Sequence, residues 1–275
     1  MPGEPWDPVE RDRRYASCKR AGLRRLLSEG DSWFDYPPHP NIIDWLDGEG
    51  FWAIKRFEKS GDTVDNIAGE ANLTRLAETA KKEGSEAVLF SGGGNDLFTD
   101  IPEKPKLRWI WRALNQYDPT KTPAEHVNQL AWDEKKTEMR RGFVRVIAAF
   151  SDYAPILVHG YDYLTASGEK AMYDGFRPSG PWILPSMRDR GIEDANLQNA
   201  ILKVLIDDVN EILAALERTY PESVIYVNLR GTLRPGVDWM NEIHPTEDGF
   251  HKIERRFLDA LLNRLPAVQR ARATP

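Results

Sequence analysis

Short apolar runs alternate with longer segments of helical period along this chain, and that alternation restricts its fold more than any other feature. The runs Leu23 to Glu29, Phe51 to Phe57, Glu86 to Phe90, Pro155 to His159 and Ser223 to Asn228 are predicted strands. Between and after them, Asn66 to Glu83, Pro123 to Phe150, Ala195 to Tyr220 and Thr246 to Leu265 are predicted helices. The last has an explicit start: Thr246 can cap it, while Glu247 and Asp248 put negative charge at its positive end. Strands separated by helices imply an α/β fold, with a parallel sheet covered by helices on both faces. Two stretches exceed a minimal five-strand core. Residues 97–122 carry three prolines with Trp109 and Trp111, and residues 160–191 contain Tyr161, Tyr163, Phe176 and Trp182. Both are expected to be excursions that wall or cover a site, because loops at such edges carry specificity. Residues 1–22 read as an N-terminal extension, 23–265 as one domain with these two insertions, and 266–275 as a frayed tail.

A chain of 275 residues with 41% hydrophobic content can bury a sizeable core. Its 37 basic and 43 acidic residues leave a net charge of -6 with no long block of one sign, which argues against a broad nucleic-acid footprint. Lys19, Arg20, Arg24 and Arg25 read as a solvated basic face. Cys18 is the single cysteine, so an intramolecular disulfide and a cysteine-based zinc site are both excluded, and a reducing, cytoplasmic location is expected. The first residues lack the charged start and apolar core of a secretory signal. No apolar run approaches the roughly 20 residues needed to cross a bilayer.

Four short segments carry the chemistry. Gly30-Asp31-Ser32 follows the first predicted strand, Ser60-Gly61-Asp62-Thr63 the second, and Gly92-Gly93-Gly94-Asn95-Asp96 the third; Asn241-Glu242-Ile243-His244 precedes the last helix. Ester cleavage by serine needs a hydroxyl, an imidazole to take its proton, and donors aimed at the developing oxyanion. Ser32 is the candidate nucleophile and His244 the candidate general base, later the acid toward the leaving alcohol. The candidate donors are the Ser32 N–H, the Gly61 N–H, where no Cβ intrudes, and the Asn95 amide. Their positions just beyond strand ends agree with ligand binding outside the carboxyl edge of open α/β sheets. Asp31 and Asp96 are expected to support their own turns, and His159 to serve structure or contact substrate.

In this order the four segments resemble the GDSL, or SGNH, hydrolase family, over about Leu23 to Leu265. The resemblance implies a three-layer, flavodoxin-like fold with a five-stranded parallel sheet. It also implies site roles for Ser32, Gly61, Asn95 and His244, with Gly69 competing for the second block; Gly61 is preferred because Ser-Gly-Asp-Thr follows a strand. Family members act as carbohydrate acetyl esterases, lipases, lysophospholipases and thioesterases, so the expected partner is a small-molecule ester: an acetylated sugar, a lipid or a thioester.

One position departs from the family, which has aspartate three residues before the histidine where this chain has Asn241. An amide can orient an imidazole but carries no charge; in a serine protease the equivalent change costs about 10⁴ in turnover. Three accounts are open: a Ser–His dyad steered by Asn241 or a backbone carbonyl, a carboxylate from Asp238 or Glu242 in the same place, or a weakened enzyme. A non-catalytic ligand-binding protein and an acyltransferase using the same residues are the alternatives to hydrolysis. Phe34 replaces the last glycine of a Gly-x-Ser-x-Gly elbow, Gly92 to Gly94 lack P-loop spacing, and the five histidines lack metal-ligand spacing. No cofactor or metal is implied.

Overall fold

A computed structural model describes residues 8–98, 108–173 and 177–265. Five strands, β1 (Arg24–Glu29), β2 (Trp52–Arg56), β3 (Ala87–Phe90), β4 (Ile156–His159) and, later in the chain, β7 (Val224–Val227), form one sheet in the order β2-β1-β3-β4-β7. All four pairings are parallel. This is the flavodoxin-like order, in which the chain reverses its direction of growth between β1 and β3. A separate antiparallel pair, β5 (Ala171–Tyr173) and β6 (Arg177–Ser179), lies in the second excursion.

Period-2 alternation divides the apolar residues of each strand between two layers. Leu26, Leu89, Leu157 and Ile225 face one core, which they share with α2 (Ile42–Gly48), most of α9 (Ala195–Thr219) and α10 (Glu247–Arg264). Leu27, Val88, Phe90, Ile156, Val158 and Val224 face the other, against α3 (Val64–Ile67), α4 (Glu70–Glu83) and α7 (Gln129–Phe150). Leu213 and Leu216 near the end of α9 join this second layer. The remaining helices are α1 (Pro8–Arg20), α5 (Gly94–Phe98), α6 (Trp109–Arg112) and α8 (Leu184–Asp189).

The sequence-derived strands match to within one or two residues, and α10 starts at the expected Thr246 cap, whose hydroxyl accepts the Gly249 N–H at 3.1 Å. The helix expected from Asn66 is divided instead: Thr63 caps the short α3, and Gly69, in an extended conformation, starts α4. The segment expected to begin a helix at Pro123 forms one 3₁₀ turn, Ala124–His126, before Asn128 caps α7. Residues 8–20, expected as an extension, form α1, which packs along edge strand β2. Such packing shields a sheet edge from pairing with other chains. The Tyr15 hydroxyl donates to Glu83 at 2.6 Å and Arg11 pairs with Asp35 at 2.8 Å, so α1 bridges to α4 and to the turn after β1.

Where β1 and β3 leave the sheet, Gly30 passes against Ser91 so closely that a Cβ on Gly30 would lie 2.7 Å from the Ser91 Cβ and 2.8 Å from its carbonyl oxygen. Both strands are central, so neither can retreat. Gly30→Ala is therefore expected to lose about 1–3 kcal/mol of stability through overpacking, read as a lower urea midpoint at unchanged slope; an unaltered midpoint would show that the crossing yields.

Candidate active site

The site is built on the turn that ends β1. Phe34 and Asp35 both donate backbone N–H groups to the Asp31 carbonyl at 3.0 Å, forming a single helical turn with Ser32 in its first position. The Ser32 N–H therefore lies among the first-turn donors that no helical carbonyl accepts. A buried cation holds this turn from behind. Arg56 donates to the Phe34 carbonyl at 3.0 Å and to Asp44 at 2.6 Å, and pairs with Glu58. Glu58 in turn accepts the Ser28 hydroxyl at 2.6 Å.

His244 reaches the turn from the loop before α10. Its Nε2 lies 2.8 Å from the Ser32 Oγ, across 212 positions of sequence. Its Nδ1 lies 3.1 Å from the Asn241 Oδ1. That oxygen also accepts the backbone N–H groups of Ile243 at 3.1 Å and His244 at 2.9 Å. Two fixed donors identify it as the amide oxygen, so Nδ1 must carry the ring proton and Nε2 presents its lone pair to the Ser32 hydroxyl. The Asn241 amide nitrogen donates to the Tyr36 hydroxyl at 3.3 Å, and the Tyr36 ring stacks on His244 with centroids 4.3 Å apart. Burial, with a smaller push from His39, lowers the His244 pKa to about 3.

The two carboxylates weighed for the orienting role are engaged elsewhere. Asp238 accepts both Lys252 Nζ contacts at 2.7 Å and pairs with Arg234, which hold it well below the usual carboxylate range despite its burial. Glu242 accepts backbone N–H groups from Gly168, Trp182, Ile183 and Leu184, clasping the second excursion. Of the three residues considered, Asn241 is the one in hydrogen-bond contact with the His244 ring.

Asn95, in the first turn of α5, donates its amide to the Asp62 carbonyl at 2.9 Å, which joins the second and third motifs. Asp96 reinforces the joint by accepting the Val64 N–H at 2.9 Å, and burial pushes its pKa up to about 6. Ser32 and Asn95 share a small recess; Gly61 is not among the residues that line it. Gly61 is exposed in the neighbouring loop with φ +87°, a conformation only glycine adopts without strain. Gly69 caps α4 and lies outside the recess.

Asp31 supports its own turn as expected, but its partners beyond that turn carried no sequence signal. The Asp31 carboxylate accepts the Ser91 hydroxyl at 2.6 Å, the Tyr161 hydroxyl at 2.9 Å and its own turn's Trp33 N–H at 3.0 Å. Tyr161 also accepts the Gly94 N–H at 2.7 Å. His159, fully buried, stands 2.8 Å from Ser91 and stacks on Trp33, so its place is behind the turn. Among the described residues no group of three or more His, Cys, Asp or Glu side chains could hold a metal ion, and no helix is long and apolar enough to cross a membrane.

No family model and no curated protein matches this sequence. Among solved structures, a lipolytic G-D-S-L family protein from Veillonella parvula is similar, with TM-score 0.52 and 14% identity over 86% of this chain and 97% of its own. A protein from Slackia heliotrinireducens assigned to the SGNH hydrolases gives 0.48 and 10%, over 87% and 99%. One from Desulfitobacterium hafniense assigned to the lipolytic G-D-S-L proteins gives 0.48 and 11%, over 86% and 99%. The first likeness, with the sheet order, defines the class: the chain has the three-layer α/β fold of a GDSL/SGNH protein.

His244 should remain neutral from pH 8 down to pH 5, so its ring signals, assigned with a His244→Gln variant, should not titrate there. Asn241→Asp should bring the titration into that window, because a carboxylate favours the imidazolium; a midpoint near 6.5 in the unaltered protein would contradict this. Glu29, whose pKa burial and nearby Glu58 push up to about 8, is protonated in the fold below that pH. Its contribution to stability is full below pH 4.5 and is lost as pH rises through 8. Glu29→Gln should therefore stabilise the protein at pH 9 by on the order of 1 kcal/mol or more and leave it nearly unchanged at pH 4.

Proposed function

We propose that the protein is a serine ester hydrolase working through an acyl-enzyme on Ser32. The observation that carries this reading is the relay Asn241–His244–Ser32, with contacts of 3.1 and 2.8 Å and a ring tautomer fixed by its neighbours. In it His244 Nε2 takes the Ser32 proton as the hydroxyl oxygen attacks the ester carbonyl. The oxyanion is held by the Ser32 N–H, the Asn95 amide and the Gly61 N–H. Collapse returns the proton to the departing alcohol, and water repeats the sequence to release the acid. The fold likeness supports the class of reaction, while the activity is argued from the site.

Asn241 makes this a dyad with a neutral orienting group. It fixes the ring as an aspartate would, yet supplies no charge against the imidazolium that forms in each transition state. A slow enzyme is the consequence, and slow acyl transfer is compatible with stoichiometric labelling. A fluorophosphonate with a methyl group on phosphorus should modify Ser32 alone, located by peptide mass mapping. Ser32→Ala should abolish labelling and His244→Ala should lower its rate at least about 10³-fold, with both variants folded by circular dichroism. A folded protein that stays unlabelled would overturn the reading.

A further inference from the structure

The recess beside Ser32 is lined mainly by Trp33, Phe98, Tyr161, Leu164 and Ile243, together with Asn95. Its cavity volume is about 10 Å³, the space that one water molecule requires. A methyl group is of similar size, and a propyl chain is not. The side of the ester that enters this recess follows from proton transfer. The leaving oxygen must sit at His244 Nε2 to be protonated, and His244 does not line the recess. The recess therefore receives the acyl side, and the alcohol is directed toward His244 and Trp182, whose ring lies 5.6 Å from the imidazole.

Whether a longer acyl chain could push the walls aside depends on how they are held. The Trp33 indole N–H donates to the Ile243 carbonyl at 2.9 Å, and its ring stacks on His159 and meets Tyr161 edge-on at 4.9 Å. Tyr161 is fixed by its hydroxyl, between Asp31 and the Gly94 N–H. Rotating either ring breaks a buried hydrogen bond and leaves a polar group without a partner, a cost that an added methylene does not recover. Phe98 and Leu164 are purely apolar, so they are the walls that a substitution can open.

We infer that this site is selective for acetyl esters, the acyl recess admitting a methyl group and excluding chains of four carbons or more, with Phe98 and Leu164 as the residues that set the limit. The inference rests on the esterase reading above. It leaves the alcohol free to be large, since that side lies outside the recess.

The test compares p-nitrophenyl acetate, butyrate and octanoate, which share one leaving group, on the full chain, beside methylphosphonofluoridate labelling of Ser32. The expected result is a kcat/KM for acetate at least about tenfold above butyrate, with octanoate lower still. Leu164→Ala, or Phe98→Ala should that variant not fold, should raise butyrate relative to acetate by about tenfold or more. Labelled Ser32 with equal or rising kcat/KM along the series would overturn the acetyl preference and leave the esterase reading standing. The absence of both Ser32 labelling and turnover of any ester would sink that reading, and this inference with it.

Discussion

The buried carboxylate of Asp31 is the interaction on which the site's geometry depends. It accepts three hydrogen bonds, from Trp33 on its own turn, from Ser91 at the end of β3 and from Tyr161 just beyond β4. Three adjacent strands are thereby tied at their carboxyl ends to one anionic group, at the point where the sheet order reverses. Charge-assisted bonds in a low-dielectric setting are strong, and removing any one donor leaves the anion undersatisfied. Ser32 sits one residue further on, so the position of the proposed nucleophile is set by the same group that aligns β1, β3 and β4. Tyr161 extends this control to the third motif, because the hydroxyl that donates to Asp31 also accepts the N–H of Gly94, beside Asn95.

A different economy governs the histidine. His244 is buried beneath Tyr36 and close to Trp182, where an imidazolium is poorly solvated, and the neutral Asn241 amide does nothing to offset that. The arrangement favours the basic, unprotonated ring and disfavours the protonated ring that the proposed proton transfer from Ser32 would form. An aspartate at 241 would reverse that balance. The neighbouring carboxylates cannot supply the charge, since Asp238 neutralises Lys252 and Arg234 and Glu242 holds four backbone N–H groups.

Much of this was legible in the sequence because it is local. Each strand is a compact apolar run, and Ser32, Asn95 and His244 lie in short motifs placed just after strands or just before a capped helix. The departure at Asn241 was also visible, although its consequence depended on where Asp238 and Glu242 point. What escaped is non-local. Tyr161 and Asp31 are 130 positions apart, Ser91 and Asp31 are 60, and neither pairing leaves a pattern in either segment. Helix α2 is a different case: Asn41 and Asp44 form a reciprocal capping box, a readable signal in a segment of only seven residues. The division between α3 and α4 was hidden because residues 66–83 keep a helical period across Gly69, whose extended conformation ends one helix and starts the next.

Glu242 connects these levels. It lies between Asn241, which orients His244, and Ile243, which walls the acyl recess, and its carboxylate gathers the N–H groups of Gly168, Trp182, Ile183 and Leu184. Burial raises its pKa, and the four backbone donors oppose that rise. One side chain thus fixes the second excursion onto the histidine loop, placing Trp182 against His244. Since Leu164 belongs to that excursion, the proposed acyl wall and the proposed base are referred to one anchor. A chain that altered its second excursion to accept a different ester would also move the proposed base, unless Glu242 kept the two in register.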